Sequence, residues 1–259
     1  MGVSWLKKGA ASASVAQQEA ASAEQRKAEQ GKMWRFWMKE GEEARITFVD
    51  GDLSPEGFLL PPRFYEHNVY LNGSWNNLFV CPEMSNPEAH EKCPICEGGD
   101  RPSLVALFTI IDHRVFKGKT DGKSYTNTPK ILAAKSQTFE MLNKLAVKRG
   151  GLAGCTFDVS RMGDKSASVG SMFDFIEKGE TEALKAKFTR TFIGDDKKEK
   201  TVSIFVPTDY EKEIVYRDAD ELRKLGFGKQ TMTGGSPAGF SGGASGGEQS
   251  GSTNYGDHL

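Results

Sequence analysis

Leu104-Val105-Ala106-Leu107-Phe108-Thr109-Ile110-Ile111 is an apolar run of strand length. A run this short cannot be a long helix, and it has no polar face to leave in water, so it predicts the central strand of a sheet. Shorter strand signals lie on either side. Ala44-Arg45-Ile46-Thr47-Phe48-Val49-Asp50 alternates apolar with polar residues and stops at Asp50-Gly51-Asp52. Phe64 to Leu71 and Asn77 to Val80 flank the turn signal Asn72-Gly73-Ser74, which predicts a hairpin. Thr156 to Ser160, Phe188 to Ile193 and Val202 to Val206 read as further strands, the last two joined across Gly194-Asp195-Asp196-Lys197. Helices are few. Ser136 is placed to cap a helix reaching Arg149, with Phe139, Leu142 and Leu145 on one face and Gly150-Gly151 as its stop. Asp218 to Leu225 predicts a short second one. Many short strands with one or two helices predict a mainly β chain with some α, arranged as a small barrel or related mixed sheet.

The ends have a different composition. Residues 9–31 are almost entirely Ala, Ser, Gln, Glu, Lys and Arg, with Val15 the one large apolar side chain. A helix there has no apolar stripe to bury. From Gly234 onward the chain is Gly and Ser with scattered Asn and Glu, too polar to form a core. The expected organisation is a flexible arm over 1–31, a core over 32–207, an acidic segment with a short helix over 208–233, and a disordered tail over 234–259.

Hydrophobic residues make up 37% of the 259. No stretch approaches the roughly 18–20 apolar residues that cross a bilayer. Met1-Gly2 leads into no apolar signal core, and Leu6 stands where myristoylation requires Ser or Thr. A soluble, cytoplasmic protein without a membrane partner is expected. Net charge is only −1, but its distribution is uneven. Residues 40–100 carry 3 basic and 12 acidic side chains, whereas 101–170 carry 12 basic and 5 acidic. A basic region of this kind suits an anionic polymer.

Three of the four cysteines cluster as Cys81-x11-Cys93-Pro94-Ile95-Cys96, and the fourth, Cys155, sits among apolar residues as a core side chain. Two cysteines two residues apart turn both sulfurs toward one ion, and Cys81 supplies a third. His67 and His90 are the candidates for a fourth ligand. Four protein ligands would close a tetrahedral ion to water and make the site structural. The alternative is a redox pair, since Cys-Pro-x-Cys occurs in thioredoxin-like folds, although Glu97-Gly98-Gly99-Asp100 is poor helix material for one. A zinc deaminase would need His-x-Glu and a proline directly before the cysteine pair, and neither is present. Nor does the chain show paired carboxylates at metal spacing, a phosphate-cradling glycine loop or a nucleophile–base pair. A non-enzymatic role follows as the expectation.

Single strands are held by a basic groove for phosphates and aromatic side chains for bases. Trp34-Arg35-Phe36-Trp37 and Arg63-Phe64-Tyr65 interleave the two types, with Tyr70 and Trp75 near the hairpin turn. Arg114, Phe116, Lys117, Lys119, Lys123 and Tyr125 follow the central strand, and Lys144, Lys148 and Arg149 end the helix. Phe48, Phe79, Phe108 and Phe139 are expected in the core. Trp34 and Trp37 would point to opposite faces of a strand, so at least one of them is also expected there.

The pattern His67-x13-Cys81-x11-Cys93-x2-Cys96 resembles the zinc motif of the helix-destabilising, single-stranded-DNA-binding proteins of tailed-bacteriophage replication. The run Cys93 to Ser103, CPICEGGDRPS, and the entry Trp37 to Phe48, WMKEGEEARITF, are similar to that family too. The similarity covers roughly residues 32–206. It implies an OB-fold-like barrel with an inserted zinc subdomain at about 62–102, one structural Zn2+, and His67 rather than His90 as its fourth ligand. It also implies binding of single-stranded DNA in replication, recombination and repair, without sequence specificity, in a host-cell cytoplasm. Neighbouring copies would meet through the N-terminal arm, and replication proteins through the C-terminal region. The chain departs from the family at both ends. Only Leu6-Lys7-Lys8 with Ser12 approaches the basic arm, and the acidic residues Asp209, Glu211, Glu213, Asp218, Asp220 and Glu221 precede the tail, which holds only Glu248 and Asp257. A protein-interaction adaptor organised by zinc is the alternative reading.

Overall fold

The apolar run does form the middle of a sheet. In the computed structural model, residues 33–228 are described apart from 72–73, 118–121, 123 and 194–197, together with residue 17. Side chains of 71, 74–76 and 193 are not described either. The expected arm helix and the Gly/Ser tail lie outside the described residues, as does the turn between residues 194 and 197.

Strand β4 (Ser103–Asp112) is buried almost throughout. On one edge it pairs along its length with β7 (Thr128–Lys135), from Val105↔Lys135 to Asp112↔Thr128. Its other edge is shared. The first half takes β2 (Arg63–Leu71), with Arg63 opposite Ala106. The second half takes β1 (Glu43–Phe48), with Phe48 opposite Ile110. Beyond β2 lies β3 (Ser74–Val80), and beyond β1 lie β8 (Cys155–Ser160) and β9 (Met172–Lys178). All these pairings are antiparallel. Among the described residues the ladder does not close into a barrel: the path runs β3-β2-β4-β1-β8-β9 with β7 branching from β4. Extended residues 34–38 lie along the free edge of β7, where Phe36 N donates to Ile131 O, and reach the loop before β9, where Met38 N donates to Ser168 O.

The main core lies against β1. Phe48 meets Phe108 and Phe157 edge-on, each at 5.7 Å between ring centres, and all three are fully buried. Emptying such a position to alanine costs about 3–5 kcal/mol. Phe36, Met38, Ile46, Leu132 and Leu152 are among the other members of the cluster. Helix α3 (Ser136–Arg149) lays Leu142 and Ala146 on it. Phe139 covers its margin, and Gly150 ends the helix at φ +66°, a left-handed position suited to glycine. Lys135 rather than Ser136 stands at the helix entrance, without a side-chain cap. The ladder ends at Lys135, which still pairs with Val105, and the helix starts directly after it, one residue earlier than a Ser136 cap would set.

Two short helices, α1 (Pro82–Ser85) and α2 (Pro94–Glu97), follow the β2–β3 hairpin. β10 (Thr189–Ile193) and β11 (Glu199–Ser203) pair as a ribbon after α4 (Thr181–Lys187), and Ser203 Oγ donates to Lys185 O at 2.9 Å. The expected strand at Val202–Val206 is displaced toward the N-terminus because Phe205 leaves the ribbon and is buried with Val49, Ile111, Leu184 and Phe188. Two-residue strands β5 (Phe116–Lys117) and β6 (Ser124–Tyr125) pair with each other. The chain ends its described course through α5 (Tyr210–Glu213) and α6 (Ala219–Lys224), the latter where the sequence placed its second helix. No helix among the described residues is long and apolar enough to cross a membrane.

Candidate metal centre and the adjoining groove

The hairpin and the two short helices hold four side chains together. His67 projects from β2, opposite Phe79, and is fully buried. Cys81 follows β3 directly and stands before Pro82; Cys93 stands before Pro94. Both cysteines have nearly the same extended backbone, φ −77° and ψ 110° against φ −75° and ψ 117°. Proline in the first helical turn is preorganised for it and needs no N–H partner there. Each Cys-Pro pair therefore starts a single turn with the sulfur at its mouth. The repeated Cys-Pro is a sequence signal that the spacing argument did not use. Glu83 ties the two turns together, accepting from Cys93 N at 3.1 Å and from Lys92 Nζ at 2.6 Å.

Cys96 completes the set from within α2. The donor atoms of His67, Cys81, Cys93 and Cys96 all lie within 4.8 Å of one another. His67 Nε2 is 3.4 Å from Cys93 Sγ and 3.5 Å from Cys96 Sγ, and Cys81 Sγ is 3.7 Å from Cys96 Sγ. The edges of a tetrahedron built with metal–sulfur bonds of about 2.3 Å and metal–nitrogen bonds of about 2.05 Å are about 3.8 Å and about 3.6 Å. These three separations match such edges. A disulfide requires about 2.05 Å and does not fit the Cys81–Cys96 separation. His90, exposed at the end of a 3-10 turn with φ 50°, is not in the cluster, so of the two candidate histidines the structure selects His67.

The surroundings favour a cation. Burial, together with neighbouring Cys93 and Cys81, pushes the Cys96 thiol far above the usual range. Only a positive centre makes three clustered thiolates tolerable. Gly99, at φ +95°, turns the chain after α2 so that Asp100 faces the histidine. His67 Nδ1 donates to Asp100 Oδ2 at 2.6 Å, which leaves Nε2 as the ligand atom. The four residues could hold one metal ion with no coordination position left for water. Cys155 is separate and buried, its sulfur 3.5 Å from Gly151 O.

Between this module and the sheet lies a groove of about 410 Å³. Arg35, Glu66, Arg101, Ser103, Lys135 and Val169 are among its lining residues. Arg35 and Glu66 pair at 2.6 Å. Arg101 and Lys135 are exposed and form no ion pair among the described residues. Neither was singled out from sequence; the register placing Lys135 opposite Val105 would have found one of them.

The structure distributes the expected nucleic-acid residues unequally. Trp34 is 75% exposed and Trp37 is 53% exposed, so neither belongs to the core. Phe36 and Met38 take the inward positions instead, because the segment joins the sheet only at the Arg35–Ile131 bridge. Phe36 is 1% exposed and cannot stack on a base. Arg114 is committed to Asp112 at 2.7 Å and Glu42 at 2.8 Å. Phe116 is only partly exposed and carries Lys130 Nζ 3.7 Å above its ring. Arg63 lies over Phe139 at 4.0 Å, and Tyr65 packs into the metal module. Phe79 belongs to that module rather than to the main core. Tyr70, Lys117, Tyr125, Lys144 and Lys148 are exposed. Lys119, Lys123 and the Trp75 side chain lie outside the described residues. Comparisons with protein-family models, curated proteins and solved structures give no match.

Proposed function

We propose that this chain coats single-stranded DNA without catalysing a reaction, on an OB-fold-like core whose inserted module is closed by zinc. The observation that carries the proposal is the pair of exposed tryptophans, Trp34 and Trp37, flanking the groove residues Arg35 and Phe36. Two large apolar rings in water cost solubility unless a flat partner covers them, and each stacked base contributes about 1–3 kcal/mol. Arg101 and Lys135 in the same groove supply charges suited to phosphates. Three sulfurs and one imidazole nitrogen in a closed tetrahedron suit zinc best among common ions. An open sheet bridged by residues 34–38 is compatible with a partly opened barrel. Together with the phage-like cysteine spacing, these features support a role in viral DNA replication, recombination and repair. Neighbouring copies and replication proteins would be further partners, through the two ends of the chain.

The test is a titration of tryptophan fluorescence with single-stranded oligonucleotides at two salt concentrations, with a duplex control. Saturable quenching that prefers single strands and weakens with salt is the expected result. The adaptor reading draws on Phe58 and Leu60, exposed on either side of buried Leu59. Absence of quenching at low salt would discard the first reading in its favour.

A further inference from the structure

The last described residues run back over the molecule as a strap with two separate anchorages. The first is on the sheet. Phe205 is buried beside Ile111, and Thr208 N donates to Thr109 Oγ1 at 2.9 Å. The Tyr210 hydroxyl donates to Asp50 Oδ2 at 2.6 Å, and Glu213 Oε2 accepts from Met33 N at 2.6 Å. None of these partners belongs to the metal module.

The second anchorage is on the module itself. Leu222 of α6 is fully buried in one cluster with Cys81, Cys93 and Ile95. Ala219 N donates to Glu91 Oε2 at 3.1 Å, and Arg223 donates to the Lys92 carbonyl at 3.4 Å. Phe227 meets Phe79 edge-on at 5.1 Å. Gly228 approaches Pro94 so closely that an added Cβ would lie 3.0 Å from the proline Cβ. Most of these contacts fall on residues 91–95, which contain or adjoin the ligands Cys93 and Cys96. Of that floor only Pro94 and Ile95 are helical, in the four-residue α2, far too short to persist alone. Its shape depends on whatever joins the four donor atoms.

We infer that metal binding at His67, Cys81, Cys93 and Cys96 docks the strap at residues 218–228, and that metal loss releases these residues while 204–214 stay on the sheet. Coupling of this kind is reciprocal: if the metal holds the strap, the strap must hold the metal.

Amide exchange on the full chain, zinc-loaded and then stripped with a chelator, tests the first half. Protection over 218–228 should fall at least tenfold, with β7 amides unchanged. Unchanged protection over 218–228 in demonstrably stripped protein would overturn the inference. The second half uses Leu222→Asp in the loaded chain, with Val147→Asp as an exposed control. Zinc affinity measured against a competing chelator should drop at least tenfold in Leu222→Asp alone. Equal affinity in both variants refutes the coupling. Should stripping unfold the sheet as well, this second arm decides by itself.

Discussion

Nδ1 of His67 and Oδ2 of Asp100 lie 2.6 Å apart, joining a fully buried imidazole to a carboxylate that is partly in solvent. The bond fixes the ring so that its other nitrogen faces three sulfurs. Partners of this kind typically account for 10–100-fold in metal affinity. Asp100→Ala should therefore weaken zinc binding by about that factor in a chelator competition. The fold should persist, because the carboxylate is not part of any apolar cluster.

Asp112 is fully buried between Lys130 at 2.9 Å and Arg114 at 2.7 Å. Burial alone would raise its pKa, but hydrogen bonds from Arg114 and Lys130 outweigh it and hold the carboxyl below its usual range. A depressed folded value means the stabilisation is complete above the ordinary carboxyl pKa of about 4 and is lost as pH falls through the folded value. Asp112→Asn should cost about 3–5 kcal/mol at neutral pH, since it leaves the largely buried Lys130 without its paired carboxylate and Arg114 with Glu42 alone. Denaturant midpoints measured from pH 7 downward should show a steep acid limb in the natural chain and a shallower one in the variant.

Trp34→Ala and Trp37→Ala separate binding from folding. Both rings are exposed, so each change should move stability by no more than about 0.5 kcal/mol. Oligonucleotide affinity should fall by about 1–3 kcal/mol per ring. Phe36→Ala should do the reverse, costing about 3–5 kcal/mol of stability through an emptied core position.

Charge reversal at Arg101 or Lys135 should weaken binding to all sequences alike. Removing one phosphate-neutralising cation should reduce the logarithmic salt slope by about 0.7. Affinities taken at four or five salt concentrations would show it. An unchanged slope would place the strand elsewhere on the surface.

Much of this was legible in the residues. The central strand, the Cys93–Cys96 pair and the helix after β7 are local patterns, set by neighbours within a few positions, and the other two ligands fall within thirty residues of Cys96. What escaped was decided at a distance. Trp34 and Trp37 could not be sorted into core and surface because the alternation rule presumes a regular strand, and residues 34–38 touch β7 through one bridge only. Leu222 is an isolated apolar residue among charges and Phe227 stands between two glycines, and their partners Cys93 and Phe79 lie more than a hundred positions earlier. β9 and α4 were missed as well, although Gly170-Ser171 precedes β9 and Gly179-Glu180 separates the two.

The shared edge of β4 has a consequence for how the protein is made. The four donor residues fall within positions 67–96, so the module can close over an ion soon after that stretch is synthesised. β1 is complete earlier but must wait for both β4 and β8, whose residues arrive about 60 to 115 positions later. Long-range pairing of that kind is the slow step of assembly. The expected order is a metal-closed nucleus first, the sheet second and the strap last. Zinc supplied during synthesis should then raise the yield of native chain more than zinc added afterwards.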